Sequence, residues 1–214
     1  MQQKFENHIA QNFSFLIGKN LLLATSGGLD SMVMVDLFRK LPFEIAMAHC
    51  NFQLRGLESF GDQDFVENYA KANEIPLFIT QFDTEAFAKD YKLSIQVAAR
   101  ELRYSWFYEL LETKNYDYIL TAHHADDNLE TFIVNLVRGT GIDGLTGIPA
   151  QNEKVIRPFL IFSREEIEHY AQENRVDWRE DSSNASDKYM RNKIRHNLVP
   201  ILKELNPDFL SSFY

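Results

Sequence analysis

The stretch Leu21-Leu22-Leu23-Ala24-Thr25-Ser26-Gly27-Gly28-Leu29-Asp30-Ser31 decides how the rest of the chain is read. Leu21 to Ala24 form a short apolar run, the pattern of a parallel strand covered on both faces. Gly27 and Gly28 let the backbone turn sharply and approach a ligand closely. Asp30 and Ser31 then open an apolar helix that runs through Phe38. A helix start offers unpaired N–H groups and a partial positive charge, so strand, turn and helix together make a phosphate cradle. Its candidate binding residues are Ala24, Ser26, Gly27, Gly28, Leu29, Asp30 and Ser31. The cradle has neither the lysine of a Walker loop nor the G-x-G-x-x-G spacing of a dinucleotide site.

Outward from this stretch, strand and helix signals alternate. Apolar positions Phe5, Ile9, Phe13 and Leu16 predict a leading helix over residues 4–17. Glu44 to His49 reads as the second strand, Pro76 to Thr80 as the third, Asp117 to Thr121 as the fourth, and Val155 to Phe159 as a further one. Helices are expected over 62–72, from Ser94 to about Glu112, and from the capping box Ser163-Arg164-Glu165-Glu166 to about Asn174. Residues 51–61 read as a connection, and 82–92 as a short helix followed by a loop. The alternation predicts an α/β fold, a doubly wound, mainly parallel sheet with helices on both faces. Ligands of such sheets bind at the carboxyl ends of the strands. That places His49 where it can approach a base or ribose, although a polar residue simply leaving a strand fits the same position. Arg100 and Arg103, three apart, share a helix face.

A second cluster follows the fourth strand: Thr121-Ala122-His123-His124-Ala125-Asp126-Asp127-Asn128-Leu129-Glu130-Thr131. Leu129, Phe132, Ile133, Leu136 and Val137 keep helical spacing, so a helix begins near Asp126. Acids in its first turn suit the helix dipole. Asp127 and Glu130 also share a face beside the cradle, which suits a metal and substrate site. Mg²⁺ takes one or two carboxylates together with phosphate oxygens. Adjacent His123 and His124 lack the H-E-x-x-H spacing of a zinc site. Gly139 is the expected stop of this helix, and residues 138–145 form a glycine-rich loop.

With 214 residues and 45% hydrophobic content, the chain is long enough for one α/β domain with a little left over. No apolar run reaches membrane-spanning length, and Met1 to Asn12 lack the pattern of a signal peptide. The one cysteine, Cys50, rules out an internal disulfide and paired-cysteine metal ligation. A soluble cytoplasmic protein is the simplest reading. A net charge of −9 argues against a surface that is basic all over. One basic stretch stands out, with Lys188, Arg191, Lys193, Arg195 and Lys203 and no acid between them. A solvated helix face and a nucleic-acid contact both fit it.

The pattern Ser-Gly-Gly-x-Asp-Ser at residues 26–31 resembles the PP-loop of the ATP pyrophosphatases, which cleave ATP between the α- and β-phosphates. Further pieces sharpen the likeness: Leu54-Arg55-Gly56, Ala99-Arg100-Glu101-Leu102-Arg103-Tyr104, the His123 to Thr131 run, Arg138-Gly139-Thr140-Gly141, Arg157-Pro158, Trp178-Arg179-Glu180-Asp181-Ser182-Ser183-Asn184 and Arg191-Asn192-Lys193-Ile194-Arg195. Jointly they resemble the N-terminal part of the tRNA(Ile)-lysidine synthetase family. Phe52 stands where that family often has a histidine, and Gly56-Leu57-Glu58-Ser59 also departs from its pattern, so no role is carried over to residues 52–57.

The resemblance implies ATP and Mg²⁺ as cofactors, with free L-lysine and an isoleucine tRNA carrying a wobble cytidine as partners. ATP would adenylylate the cytosine carbonyl oxygen and release pyrophosphate. The ε-amine of lysine would then displace AMP and leave lysidine. It implies catalytic roles for Asp30, Asp127, Glu130 and Asp181, with Asp30 and Asp127 as metal ligands. Asp127, Glu130 and Asp181 are the candidates to bind the lysine ammonium, and Arg100 and Arg103 to contact nucleotide. Which acid does which job stays open, as does homodimerisation. The implied organisation is a catalytic domain over 1–186 and a basic helical linker over 187–214 toward C-terminal domains absent here. A fragment of that kind is expected to bind ATP and to form lysidine poorly. Two other classes compete. A tRNA thiolase needs more cysteine than Cys50 supplies, and a non-catalytic nucleotide-binding module needs no acidic cluster.

Overall fold

The computed structural model of the chain describes residues 1–180, 190–206 and 208–213. Six strands form one sheet in the order β3-β2-β1-β4-β6-β5. They are β1 Asn20–Ala24, β2 Glu44–Asn51, β3 Leu77–Gln81, β4 Tyr118–Leu120, β5 Gln151–Asn152 and β6 Val155–Ile156. All neighbouring pairs are parallel except the short β5–β6 hairpin.

The apolar run of β1 is buried because side chains alternate across a covered sheet. Leu21 and Leu23 join a core with Phe5, Phe38, Phe162 and Ile167, where α1 (Gln2–Asn12), α2 (Leu29–Arg39), α3 (Leu57–Ala72) and α7 (Arg164–Asn174) pack. Leu22 faces the other way, onto Phe107 and Leu110 of α5 (Ile95–Lys114). The sheet is therefore doubly wound, as the alternation of signals predicts. β2 and β3 follow on one side of β1, and the chain then returns to lay β4 on the other side. The switch between β1 and β4 opens a crevice at their carboxyl ends.

Several boundaries differ from the sequence expectation. The leading helix stops at Asn12, and a separate 3₁₀ turn covers Ser14–Leu16. α3 starts at Leu57, five residues before the expected 62, directly after Gly56 at φ +52°. Its first turn escaped the apolar pattern because Leu57 is 89% exposed while the inward positions there are Ser59 and Asp62. The 82–92 segment does hold the expected short helix, α4 (Thr84–Asp90), capped by the Asp83 carboxylate accepting from Ala86 N at 3.0 Å. The further strand is only Val155–Ile156, because Arg157 and Pro158 leave the ladder. Ser163 caps α7 as expected.

The described part of the basic stretch is helical: α8 (Met190–Lys193), a π-type turn over Ile194–Leu198, and α9 (Val199–Leu205), with α10 (Phe209–Phe213) after it. Ile194 and Val199 pack on Leu129 and Ile133 of α6 (Ala125–Val137). Residues 190–205 therefore lie against the acidic helix. Among the described residues no helix is long and apolar enough to cross a membrane.

Candidate functional site

A cavity of about 610 Å³ opens at the switch point, above the carboxyl ends of β1, β2 and β4. Ala24, Ser26, Gly28, Leu29, Asp30 and Ser31 line it. The loop is held from within. Ser31 Oγ donates to Gly28 O at 2.9 Å and accepts from Ser26 N at 3.2 Å, while Gly28 N donates to Ser26 Oγ at 3.2 Å. Gly27 points away from the cavity at φ +91°, and a Cβ on it would meet Val66 at 3.3 Å. A tight, left-handed turn against α3 therefore requires glycine there.

His49 does not line the cavity. It is 3% exposed beneath the loop, and its Nδ1 lies 2.9 Å from Thr25 O. Burial lowers its pKa below the usual value, so it sits as a neutral prop under the cradle rather than beside a base or ribose. Arg100 is also outside the lining, with its guanidinium over the Tyr104 ring at 4.8 Å. Its neighbour Arg103 does face the cavity, 5.1 Å over the Phe52 ring. Cation–π packing, on Tyr104 within α5 for Arg100 and on Phe52 after β2 for Arg103, thus separates two arginines that share a face in sequence. Ala48, Cys50, Phe52 and Phe107 complete this less polar end. Burial pushes the Cys50 thiol up to about 12.

The acids after β4 divide by burial. Asp127 lines the cavity, and its Oδ2 accepts from His124 N at 3.2 Å, closing the first turn of α6. Asp30 lies across from it. The Nε2 of His124 is 3.5 Å from Asp127 Oδ2 and 3.8 Å from Asp30 Oδ2. His124 is 1% exposed, and burial alone would lower its pKa. The surrounding Asp127, Asp126 and Asp30 outweigh that and raise it to about 9, so it is a cation at neutral pH. Adjacent His123, which lines the cavity, goes the other way. Burial holds it down at about 4, neutral, with its Nδ1 2.9 Å from Thr121 Oγ1. Burial raises the Asp30 carboxyl above its ordinary value against the pull of His124 and Arg164. The Asp127 carboxyl is lowered, because His124, His123 and Arg191 outweigh its burial.

Glu130 does not reach the cavity. Its side chain is 0% exposed and accepts from Arg191 Nε at 2.9 Å and from Arg195 Nε at 2.6 Å. Arg195 Nη2 is also 3.2 Å from Asp127 Oδ1. Asp126 is a strut, taking Arg164 N at 2.8 Å and Lys203 Nζ at 2.6 Å. Asp181, the remaining acid singled out in the sequence, lies outside the described residues, as do Ser182, Ser183, Asn184 and Lys188.

The arginines are what residue types and local spacing missed. Arg164, Arg179, Arg191 and Arg195 all line the cavity. Arg164 Nη1 is 3.3 Å from Asp30 Oδ2, and Arg179 N donates to Gly27 O at 2.9 Å. Arg191 and Arg195 stood in the basic stretch, but only its docking on α6 turns them inward. The cavity therefore has a cationic end around a glycine loop, the carboxylates Asp30, Asp127 and Glu180 in its lining, and an apolar end. Asp30 and Asp127, which flank His124, are the paired acidic donors for a metal, while Glu180, also in the lining, accepts from Trp178 Nε1 at 2.7 Å. Among the described residues no three His, Cys, Asp or Glu side chains come together as a metal cluster. That donor set suits a hard cation that draws its other ligands from phosphate and water.

A family model described as the PP-loop domain matches residues 1–202. The tRNA(Ile)-lysidine synthase of Porphyromonas gingivalis strain W83 is 47% identical over 188 residues, covering 87% of this chain and 41% of that protein. The tRNA(Ile)-lysidine synthase of Bacteroides thetaiotaomicron is 43% identical over 212 residues, 99% of this chain and 50% of that one. The chain thus spans half or less of the length of these curated relatives. Among solved structures, the U34-tRNA thiolase NcsA from Methanococcus maripaludis with its [4Fe-4S] cluster superposes with a TM-score of 0.79 at 15% identity, covering 99% of this chain and 74% of that one. The NH3-dependent NAD synthetase from Campylobacter jejuni gives 0.60 at 15% identity, covering 100% of this chain and 92% of that one. At such identity these two show a shared fold.

Proposed function

The chain belongs to the PP-loop domain family, and on that premise we propose that it is the ATP-activating part of a tRNA(Ile)-lysidine synthase. The observation that carries the proposal is the meeting, in one cavity, of the glycine loop, Arg164, Arg179, Arg191 and Arg195, and the Asp30–Asp127 pair. Relatives named for this activity cover 87–99% of the chain.

In this reading the loop and the N-terminus of α2 receive the β- and γ-phosphates of ATP. Arg164, Arg179, Arg191 and Arg195 stabilise the charge that builds on pyrophosphate as it leaves. Asp30 and Asp127 hold Mg²⁺, which supplies neutralisation and alignment of the phosphates. Ala48, Cys50, Phe52 and Phe107 give a planar base an apolar wall. The cytosine carbonyl oxygen of the wobble cytidine attacks the α-phosphorus, and the bond to pyrophosphate breaks. The ε-amine of free lysine then attacks the activated ring carbon, and AMP leaves with the bonding electron pair. That amine is protonated at neutral pH, with an unperturbed pKa of about 10.4, and must lose its proton to react. Asp127, held ionised, can bind the ammonium within reach of the cavity, and Asp181 is the second candidate. Glu130 holds Arg191 and Arg195 in place. ATP and tRNA place such a reaction in the cytoplasm.

A thiolase reading is disfavoured by the single cysteine, whose thiol stays protonated at neutral pH. The deciding experiment mixes the protein with ATP, Mg²⁺ and isoleucine tRNA and follows pyrophosphate. Slow release that depends on that tRNA, with AMP release and a low yield of lysine incorporation on adding lysine, is the expected result. Release that requires a sulfur donor would overturn it.

A further inference from the structure

Two sequence motifs meet on a residue to which the chemistry above gives no role. Asp62, on α3, has a side chain only 10% exposed. Its Oδ2 accepts from Arg55 Nη2 at 2.7 Å, and its Oδ1 accepts from Arg179 Nε at 2.6 Å. Arg55 belongs to Leu54-Arg55-Gly56 and Arg179 to Trp178-Arg179-Glu180. Among the described residues, Asp62 is the acid that the Arg179 guanidinium meets. The backbone of the same arginine is tied to the cradle, because Arg179 N donates to Gly27 O at 2.9 Å. Gly61 makes room for it. A Cβ built there would stand 3.1 Å from Arg179 Nη2.

We propose that Asp62 is a positioning residue for the phosphate cradle: it pins the Trp178–Glu180 strap across the glycine loop and fixes where the Arg179 guanidinium meets the pyrophosphate end of the nucleotide. The inference rests on reading the loop as the pyrophosphate holder. A carboxylate shared by two guanidiniums leaves a net positive charge beside the cavity, and charge-assisted hydrogen bonds of this length fix orientation as well as charge. An Arg179 anchored at Nε and at its backbone N is preorganised, so ordering it on the anion costs little. The arrangement also explains why the loop before α3 and the strap after α7, more than 100 residues apart, serve one site.

The test titrates the protein with inorganic pyrophosphate and, separately, with adenosine, which carries no phosphate. Gly61→Ala and Asp62→Asn are the variants. Gly61→Ala favours the helix, so its melting temperature should hold or rise. Its methyl group crowds the Arg179 guanidinium, which must give by a few tenths of an ångström, and should weaken pyrophosphate binding by up to about ten-fold, the loss of one charge-assisted contact. Asp62→Asn should weaken pyrophosphate to a similar degree, and the double variant no further, because both changes act through Arg179. Adenosine binding should not change. Wild-type pyrophosphate affinity in both variants would overturn the inference, and so would equal weakening of adenosine, which marks general loosening. If the unsubstituted protein binds adenosine but not pyrophosphate, the reading of the loop fails, and the inference with it.

Discussion

Replacing Glu130 by glutamine keeps its shape and removes its charge. The side chain is fully buried and takes three short contacts, from Arg191 Nε at 2.9 Å, Arg195 Nε at 2.6 Å and Arg195 Nη2 at 3.0 Å. Removing one partner of a buried ion pair costs about 3–5 kcal/mol. Here the arginine side chains stay 43% and 27% exposed and can regain water. The cost should therefore fall near the lower end, about 3 kcal/mol. If α8 and α9 detach from α6 as a unit, hydrogen exchange across 190–205 should speed up about 100-fold. If the loss is global, the melting temperature should fall by about 6–12 °C. Hydrogen exchange read by mass spectrometry, together with thermal melting, separates the two. Turnover should drop in either case, because Arg191 and Arg195 lose their anchor. Unchanged exchange and unchanged melting, with turnover lost, would refute the reasoning and place Glu130 in contact with substrate.

Asp30→Ala should leave the fold intact and lower pyrophosphate release by about 100-fold or more, the scale of losing a group that acts on developing charge; normal turnover with normal Mg²⁺ dependence would count against its role. His124 is raised to about 9, so its stabilisation is complete below about pH 6.5 and disappears as pH rises through 9. His123, held at about 4, acts with the opposite sign and costs stability as pH falls from about 6.5 toward 4. Denaturant titrations across this range should show the alkaline limb flatten in His124→Gln and the acid limb flatten in His123→Gln; identical profiles would remove both assignments. Cys50→Ser should change turnover less than two-fold, roughly, since a thiol held protonated is no nucleophile. Loss of activity in a folded Cys50→Ser protein would reopen the thiolase reading.

The strand, the glycine turn and the helix at residues 21–38 were legible because each signal is local. An apolar run, two glycines and a 3.6-residue period act within a few residues of one another. The same holds for the Ser163 capping box and for the acidic start of α6. The alternation of these units was enough to predict the doubly wound sheet, since a parallel crossover leaves few other arrangements. The short strand β5 and the first turn of α3 were not legible, because Gln151 and Asn152 are exposed polar residues and the inward positions of that turn are Ser59 and Asp62.

Roles within the site depended on what packs over what. In sequence, Asp127 and Glu130 are equivalent acids three residues apart. The docking of residues 190–205 on α6 leaves one at the cavity wall and buries the other beneath two arginines more than 60 positions away. His123 and His124 are neighbours of the same type, yet burial, helped by nearby arginines, governs one and three carboxylates govern the other. Arg164 reaches Asp30 across 134 positions, and Asp62 joins two motifs that share no local pattern. Periodicity and turn chemistry determined where the backbone presents its groups, because those forces act over a few residues. Burial and charge pairing decided which groups face the ligand, because desolvation and Coulomb interactions depend on neighbours that only the tertiary fold brings together.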